Sequence, residues 1–151
     1  MQGISSEVGI GKAERADGAA IGTLLKAADL PPEDFSRHLA HFLVARRGGV
    51  VVGAVGYERH GGDALLRSLV VAPALRGAGL GDALVKQLAE AAASAGVTRF
   101  FLLTTTAEKF FARRGFTPIA RDRVPPLIAA TEEFRSLCPV SAVCLTRIVR
   151  A

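Results

Sequence analysis

The chain has 151 residues, half of them hydrophobic and 22% charged, with a formal net charge of +5. That length suits one domain with a real core, and that balance excludes a disordered chain. No apolar run approaches the roughly 20 residues that a membrane helix needs. Residues Met1 to Lys12 lack the basic and apolar regions of a secretory signal, so a cytoplasmic protein is expected. Only 6% of residues are aromatic and the basic ones are scattered, which speaks against a nucleic-acid surface. An anionic small molecule accounts for modest basicity equally well. Cys138 and Cys144 are too few for a disulfide framework and read as buried thiols.

With no repeat or composition break, one domain over residues 1–151 is expected. Val8 to Ala13 reads as a first strand. Asp17 to Ala28 follows as a helix, with Ile21, Leu24, Leu25 and Ala28 on one face. Leu30-Pro31-Pro32 breaks it, and Glu33 to His41 forms a short second helix. Phe42 to Arg46, Val50 to Tyr57 and Ala64 to Val71 are strand-like runs. Gly48-Gly49 and His60-Gly61-Gly62-Asp63 separate them, which gives an antiparallel meander.

The pattern then changes. Leu80, Leu84, Leu88, Ala91 and Ala95 recur at helical spacing, and Gly96 ends that helix. Val97 to Thr104 is a strand, so strand, helix and strand form a parallel crossover. A short helix at Ala107 to Arg114, a strand at Phe116 to Arg121, a helix at Pro125 to Leu137 and a strand at Ala142 to Val149 complete the chain. The expected class is α/β, a mixed sheet of six to seven strands with helices on both faces.

The junction after Leu69-Val70-Val71 carries the chemistry. Arg76-Gly77-Ala78-Gly79-Leu80-Gly81 opens a helix, and its three glycines let backbone approach a ligand closely. Helix-start N–H groups and the helix dipole favour negative charge there, and Arg76 adds a guanidinium suited to phosphate. Asp82 stands where a dinucleotide fingerprint needs glycine, and Gly81-Asp82-Ala83 lacks the Lys-Ser/Thr ending of a P-loop. A pyrophosphate of another kind is expected, with a chance glycine cluster as the alternative.

Arg-x-x-Gly-x-Gly after a Val-Val-x-Pro strand end resembles the coenzyme A motif of the GNAT (Gcn5-related N-acetyltransferase) superfamily. Phe110-Phe111-Ala112-Arg113-Arg114-Gly115-Phe116 is similar to that family's helix-to-strand ending. The resemblance spans nearly the whole chain. It implies acetyl-CoA as cosubstrate, no metal, and a sheet that splays between the fourth and fifth strands to admit pantetheine. The cofactor-binding positions it implies are Leu69, Val70, Val71, Arg76, Gly77, Ala78, Gly79, Leu80, Gly81, Thr104 and Phe111. The backbone N–H near Val71 is the implied oxyanion donor. The family's usual acid is a tyrosine; its place here is Phe111, which has no proton to give.

Leu102 to Phe111, Thr131 to Ala142 and Leu66-Arg67-Ser68-Leu69 are similar to small GNAT enzymes of bacterial arsenic-resistance operons. The first segment also resembles the acetyltransferase domain of N-acetylglutamate synthase. Both resemblances imply a glutamate-like amino acid as acceptor, with arsinothricin and phosphinothricin among the analogues. Arg67 lies inside a strand, where a charge is costly unless paired or facing a polar cleft. Two readings stay open for it: a clamp on the acceptor's carboxylate, or a core ion pair with Glu58. Ser68, Thr105 and Ser141 are the other expected acceptor contacts.

Glu58 and His60, at the end of the second meander strand, are candidates for the base that takes the amine proton, with Glu108 as a further one. Thr104, Thr105 or a water could serve the leaving thiolate in place of the missing tyrosine. Tyr57 reads as a half-buried strand aromatic. His38 and His41 share a helical face but lack a third ligand, so no metal is expected. The expected partners are acetyl-CoA and a small amine, with no nucleic acid or membrane, and a homodimer stands open. Acetylation of another small amine or a protein amine, and a non-catalytic acyl-CoA sensor, remain the alternatives.

Overall fold

A computed structural model describes residues 7–149 except Cys138. Among the described residues seven strands form one sheet: β1 (Gly9–Lys12), β2 (Phe42–Arg47), β3 (Val50–His60), β4 (Asp63–Val71), β5 (Arg99–Thr104), β6 (Thr117–Pro118) and β7 (Val143–Ile148). Their order across the sheet is β1-β2-β3-β4-β5-β7-β6. The helices are α1 (Gly18–Ala27), α2 (Leu80–Ser94), α3 (Glu108–Ala112) and α4 (Pro126–Ala129). The architecture is mixed α/β. β4 and β5 pair in parallel only from Asp63↔Arg99 to Leu65↔Phe101, although both strands run on past those residues. Among the described residues, no helix is long and apolar enough to cross a membrane.

The residues divide into two compact units. The first comprises the chain up to Tyr57 together with Ser68–Leu88; the second comprises Glu58–Arg67 together with the chain from Ala89 onward. In the first, Ile21 and Leu25 of α1 are fully buried, with Leu24 and Ala28 packed beside them, as their spacing predicts. Phe35, Phe42, Val44, Ala54 and Val70 complete that core. Gly56 is required by space: a Cβ there would stand 2.1 Å from the buried Phe42 ring. Gly56→Ala is therefore expected to destabilise the protein by about 1–3 kcal/mol through overpacking, read as a lower denaturant midpoint at unchanged slope.

Asp17 makes no side-chain cap on α1; it closes the 3₁₀ turn Arg15–Asp17 that precedes the helix. It accepts the N–H of Glu14 (2.7 Å) and pairs with Arg46. The Glu14 N–H first, then Arg46, hold its carboxyl below the usual range against the opposing effect of burial. A depressed carboxyl pKa contributes stability that is complete above the unfolded value of about 3.9 and is lost as pH falls through the folded value. Acid titration of Asp17→Asn is expected to show a shallower loss of stability below that point than the unaltered protein shows.

In the second unit, Leu65, Phe101, Val124, Ile128 and Cys144 form the core. Several sequence expectations change here and along α2. Ala91 and Ala95 are exposed, and the buried stripe of α2 runs through Leu84, Val85, Leu88, Ala89 and Ala92. The sixth strand shrinks from the expected Phe116–Arg121 to Thr117–Pro118; Ile119 N–H still donates to the Cys144 carbonyl (3.0 Å), and the chain then turns into a 3₁₀ segment at Arg121–Arg123. The expected helix over Pro125–Leu137 breaks after Ala129, where Thr131 Oγ1 donates to the Ile128 carbonyl (2.7 Å). A wide helical turn at Glu133–Leu137 follows. The short helix expected at Glu33–His41 is a 3₁₀ segment, Phe35–His41, interrupted by non-helical geometry at His38.

Candidate functional site

β4 leaves the sheet with Ala72 N–H still donating to the Val52 carbonyl (2.8 Å). Pro73–Leu75 makes one 3₁₀ turn, and the loop beyond it is exposed. Gly77 and Gly79 both have φ +84, and a Cβ at either would meet nothing within 4 Å. Conformation, not crowding, selects glycine here: a side chain in the left-handed region is strained. The ladder of α2 starts with Ala83 N–H donating to the Gly79 carbonyl (3.1 Å). The amides of Leu80 and Gly81 precede that first donor, at the positive end of a 15-residue helix. Arg76 is exposed and donates from Nε to the Val71 carbonyl (3.2 Å). Among the described residues no carboxylate pairs with it. Left-handed glycines, helix-start amides and a guanidinium without a counter-ion thus meet in one short segment, a donor set that fits a pyrophosphate.

β4 is not regular. Ser68 has φ +62, a rare conformation for a side chain within a strand. It interrupts the alternation that would give Arg67, Leu69 and Val71 a shared face. Arg67 is buried, Ser68 and Leu69 are half-buried, Val70 is buried and Val71 half-buried. A regular strand would put Arg67 in step with the strand end at Leu69 and Val71, and this one residue breaks that register.

Arg67 stands as the ion-pair alternative had it. Its side chain has no exposed surface, and Nη1 lies 3.7 Å from Glu58 Oε2. Glu58 is 6% exposed, and its other oxygen, Oε1, lies 3.1 Å from His60 Nε2. Three of the expected site residues, Arg67, Glu58 and His60, are therefore brought into one connected group.

The remaining candidates are placed separately. Thr104, half-buried at the end of β5, accepts the Ala107 N–H at its hydroxyl (3.0 Å). Phe111 is 5% exposed and packs edge-on against Phe110 and Phe116, with centroids at 5.1 and 5.3 Å. It belongs to an aromatic cluster. Thr105, Glu108 and Ser141 are exposed. Tyr57 is buried rather than half-buried and stacks on His41, with centroids 4.6 Å apart. Burial pushes the Cys144 thiol up to about 11, against a smaller opposing effect of Arg121, so Cys144 is an inert core residue. Cys138 lies outside the described residues.

Sequence reasoning missed the left-handed residue at Ser68. Its one signal was a polar pair, Arg67-Ser68, set inside an apolar strand.

The chain is similar to known proteins. The acetyltransferase (GNAT) domain family matches residues 38–118, more than half of the chain. The amino-acid acetyltransferase of Pseudomonas syringae pv. tomato is 30% identical over 107 residues, 68% of this chain and 24% of that protein. The amino-acid acetyltransferase of Ralstonia nicotianae is 34% identical over 93 residues, 59% of this chain and 20% of that protein. The chain thus spans a quarter or less of these curated relatives' length. Among solved structures, N-acetylglutamate synthase from Neisseria gonorrhoeae, complexed with coenzyme A and N-acetyl-glutamate, superimposes with a TM-score of 0.83. The match is 21% identical and covers 97% of this chain and 36% of that one. Rv2747 from Mycobacterium tuberculosis, in complex with CoA and NLQ, gives a TM-score of 0.78 at 24% identity over 93% of this chain and 98% of that one. On the family match over residues 38–118, with the sheet order and the glycine-bearing helix start beside it, the chain belongs to the acetyltransferase (GNAT) domain family.

Proposed function

We propose that the chain is one acetyl-CoA-dependent N-acetyltransferase domain whose acceptor is a small glutamate-like α-amino acid. The observation that carries the cofactor assignment is the Arg76 to Gly81 loop, with its left-handed Gly77 and Gly79 and the helix-start amides of Leu80 and Gly81. These residues hold the pyrophosphate, and the backbone of Leu69–Val71 takes the pantetheine arm. When bound, acetyl-CoA supplies the activated acetyl group. The Val71 N–H is the donor proposed for the oxyanion. Thr104 keeps its own hydroxyl hydrogen while accepting from Ala107, so it retains a proton to donate toward a leaving thiolate. Glu58 and His60 form the group proposed to take the amine proton.

Support for the acceptor class comes from the relatives named amino-acid acetyltransferase and from the fold match to N-acetylglutamate synthase. Support for an organoarsenical member of that class is the resemblance of the Leu102 to Phe111 and Thr131 to Ala142 segments alone. A second reading, a non-catalytic acyl-CoA sensor, draws on Phe111, which fills the usual acid position with a buried ring. One experiment separates them: release of free thiol from acetyl-CoA with glutamate, phosphinothricin, arsinothricin and a lysine peptide. Turnover on glutamate or an analogue is the expected result. Cofactor binding with no thiol release on any α-amino acid rules the transferase reading out and favours the sensor.

A further inference from the structure

We propose that Arg67, Glu58 and His60 act as an ordered chain, in which Arg67 and Glu58 fix the imidazole of His60 so that its Nδ1 accepts the proton of the acceptor ammonium. The proposal rests on the acetyltransferase reading above and assigns distinct roles within it.

The argument starts from strand geometry. Residues two apart in β3 project to the same face, so Glu58 and His60 are neighbours by construction. Glu58 presents one oxygen to Arg67 (3.7 Å) and the other to His60 Nε2 (3.1 Å). A carboxylate only accepts hydrogen bonds. The contact at Nε2 is therefore a bond only if Nε2 carries the hydrogen, which leaves Nδ1 of the neutral ring with its lone pair. Two charges beside this pair in the chain, Arg59 and Asp63, are held elsewhere. Arg59 donates to the carbonyls of Gly61 (2.9 Å) and Ala95 (2.5 Å). Asp63 is gripped by Arg99 at 2.9 and 3.2 Å.

Burial then divides the labour. Glu58, at 8% side-chain exposure and committed to Arg67, is the positioning residue. His60, at 25%, reaches solvent and can pass on what it accepts. The balance is simple. One ammonium proton goes to Nδ1, directly or through one water, and leaves to solvent. The freed lone pair forms the C–N bond to the acetyl carbon and the C–S bond breaks. The second N–H proton released in that step ends on the thiolate.

The test uses His60→Ala and His60→Gln in the full chain, with acetyl-CoA and the best α-amino acid acceptor. The amide of glutamine can still donate to Glu58 but cannot serve as a base. Both variants are expected to lose kcat by about 100-fold or more, with the KM for acetyl-CoA unchanged. Added imidazole is expected to restore part of the rate of His60→Ala. A merely structural role predicts that His60→Gln keeps its rate and that imidazole does nothing; either result overturns the proposal. Turnover in the unaltered protein with an unimpaired His60→Gln overturns this inference alone. No turnover in the unaltered protein overturns the transferase reading and this inference with it.

Discussion

Replacing Gly77 and Gly79 together by valine is expected to weaken acetyl-CoA binding about 100-fold while leaving thermal stability nearly unchanged. Both residues sit at φ +84, where a β-branched side chain costs about 1–2 kcal/mol per position. The chain escapes that cost by moving to ordinary φ values, which turns the loop's amides away from a common ligand. About 2.8 kcal/mol in total corresponds to that 100-fold factor. The loop is exposed and a Cβ at either glycine meets no atom within 4 Å, so no packing is disturbed. Titration calorimetry and a thermal melt on the same sample read the two effects apart. An affinity within threefold of the unaltered protein would mean that the loop does not hold the cofactor.

The second large effect concerns stability. Arg67 has no exposed side-chain surface, and Glu58 is nearly as enclosed. Removing one partner of such a pair leaves a charge buried without its counterpart, which typically costs about 3–5 kcal/mol. Glu58→Ala is expected to lose that much in chemical denaturation. Replacing both, as Glu58→Leu with Arg67→Met, is expected to recover most of it, because neither charge of the pair remains. A double variant as unstable as the single one would contradict the ion pair as the source of the loss.

The parts of this molecule that sequence revealed are those governed by local rules. The face of α1 follows from Ile21, Leu24, Leu25 and Ala28 at helical spacing, and burial confirms it. The three glycines after β4 mark a turn open to close approach by a ligand, and the structure adds that Gly77 and Gly79 are left-handed. The parts that stayed hidden depend on tertiary context. Nothing local requires Ser68 to be left-handed, and the strand around it favours extended backbone. Ala91 and Ala95 fit a helical stripe as well as Val85 and Ala92 do, and only packing chooses between them. Glu133 is 5% exposed inside a segment that reads as a plain amphipathic helix.

The candidate site divides the same way. Its cofactor half is written in consecutive residues, Arg76 to Gly81, and the pattern alone suggests the ligand. Its acid–base half is assembled from two strands. Sequence offered Arg67 as either an acceptor clamp or the partner of Glu58, and only the 3.7 Å separation decides which contact it makes. The bond from Glu58 to His60 needed no tertiary knowledge beyond a continuous β3, yet the turn residues after His60 disguised it as a loop.

The central claim is that the Arg76 to Gly81 segment grips acetyl-CoA. Its most direct test is a titration of coenzyme A followed by backbone-amide NMR. The account predicts saturable shifts that are largest at Gly77, Gly79, Leu80 and Gly81, with a second group at Leu69 to Val71. Saturable binding with those amides unmoved would contradict it.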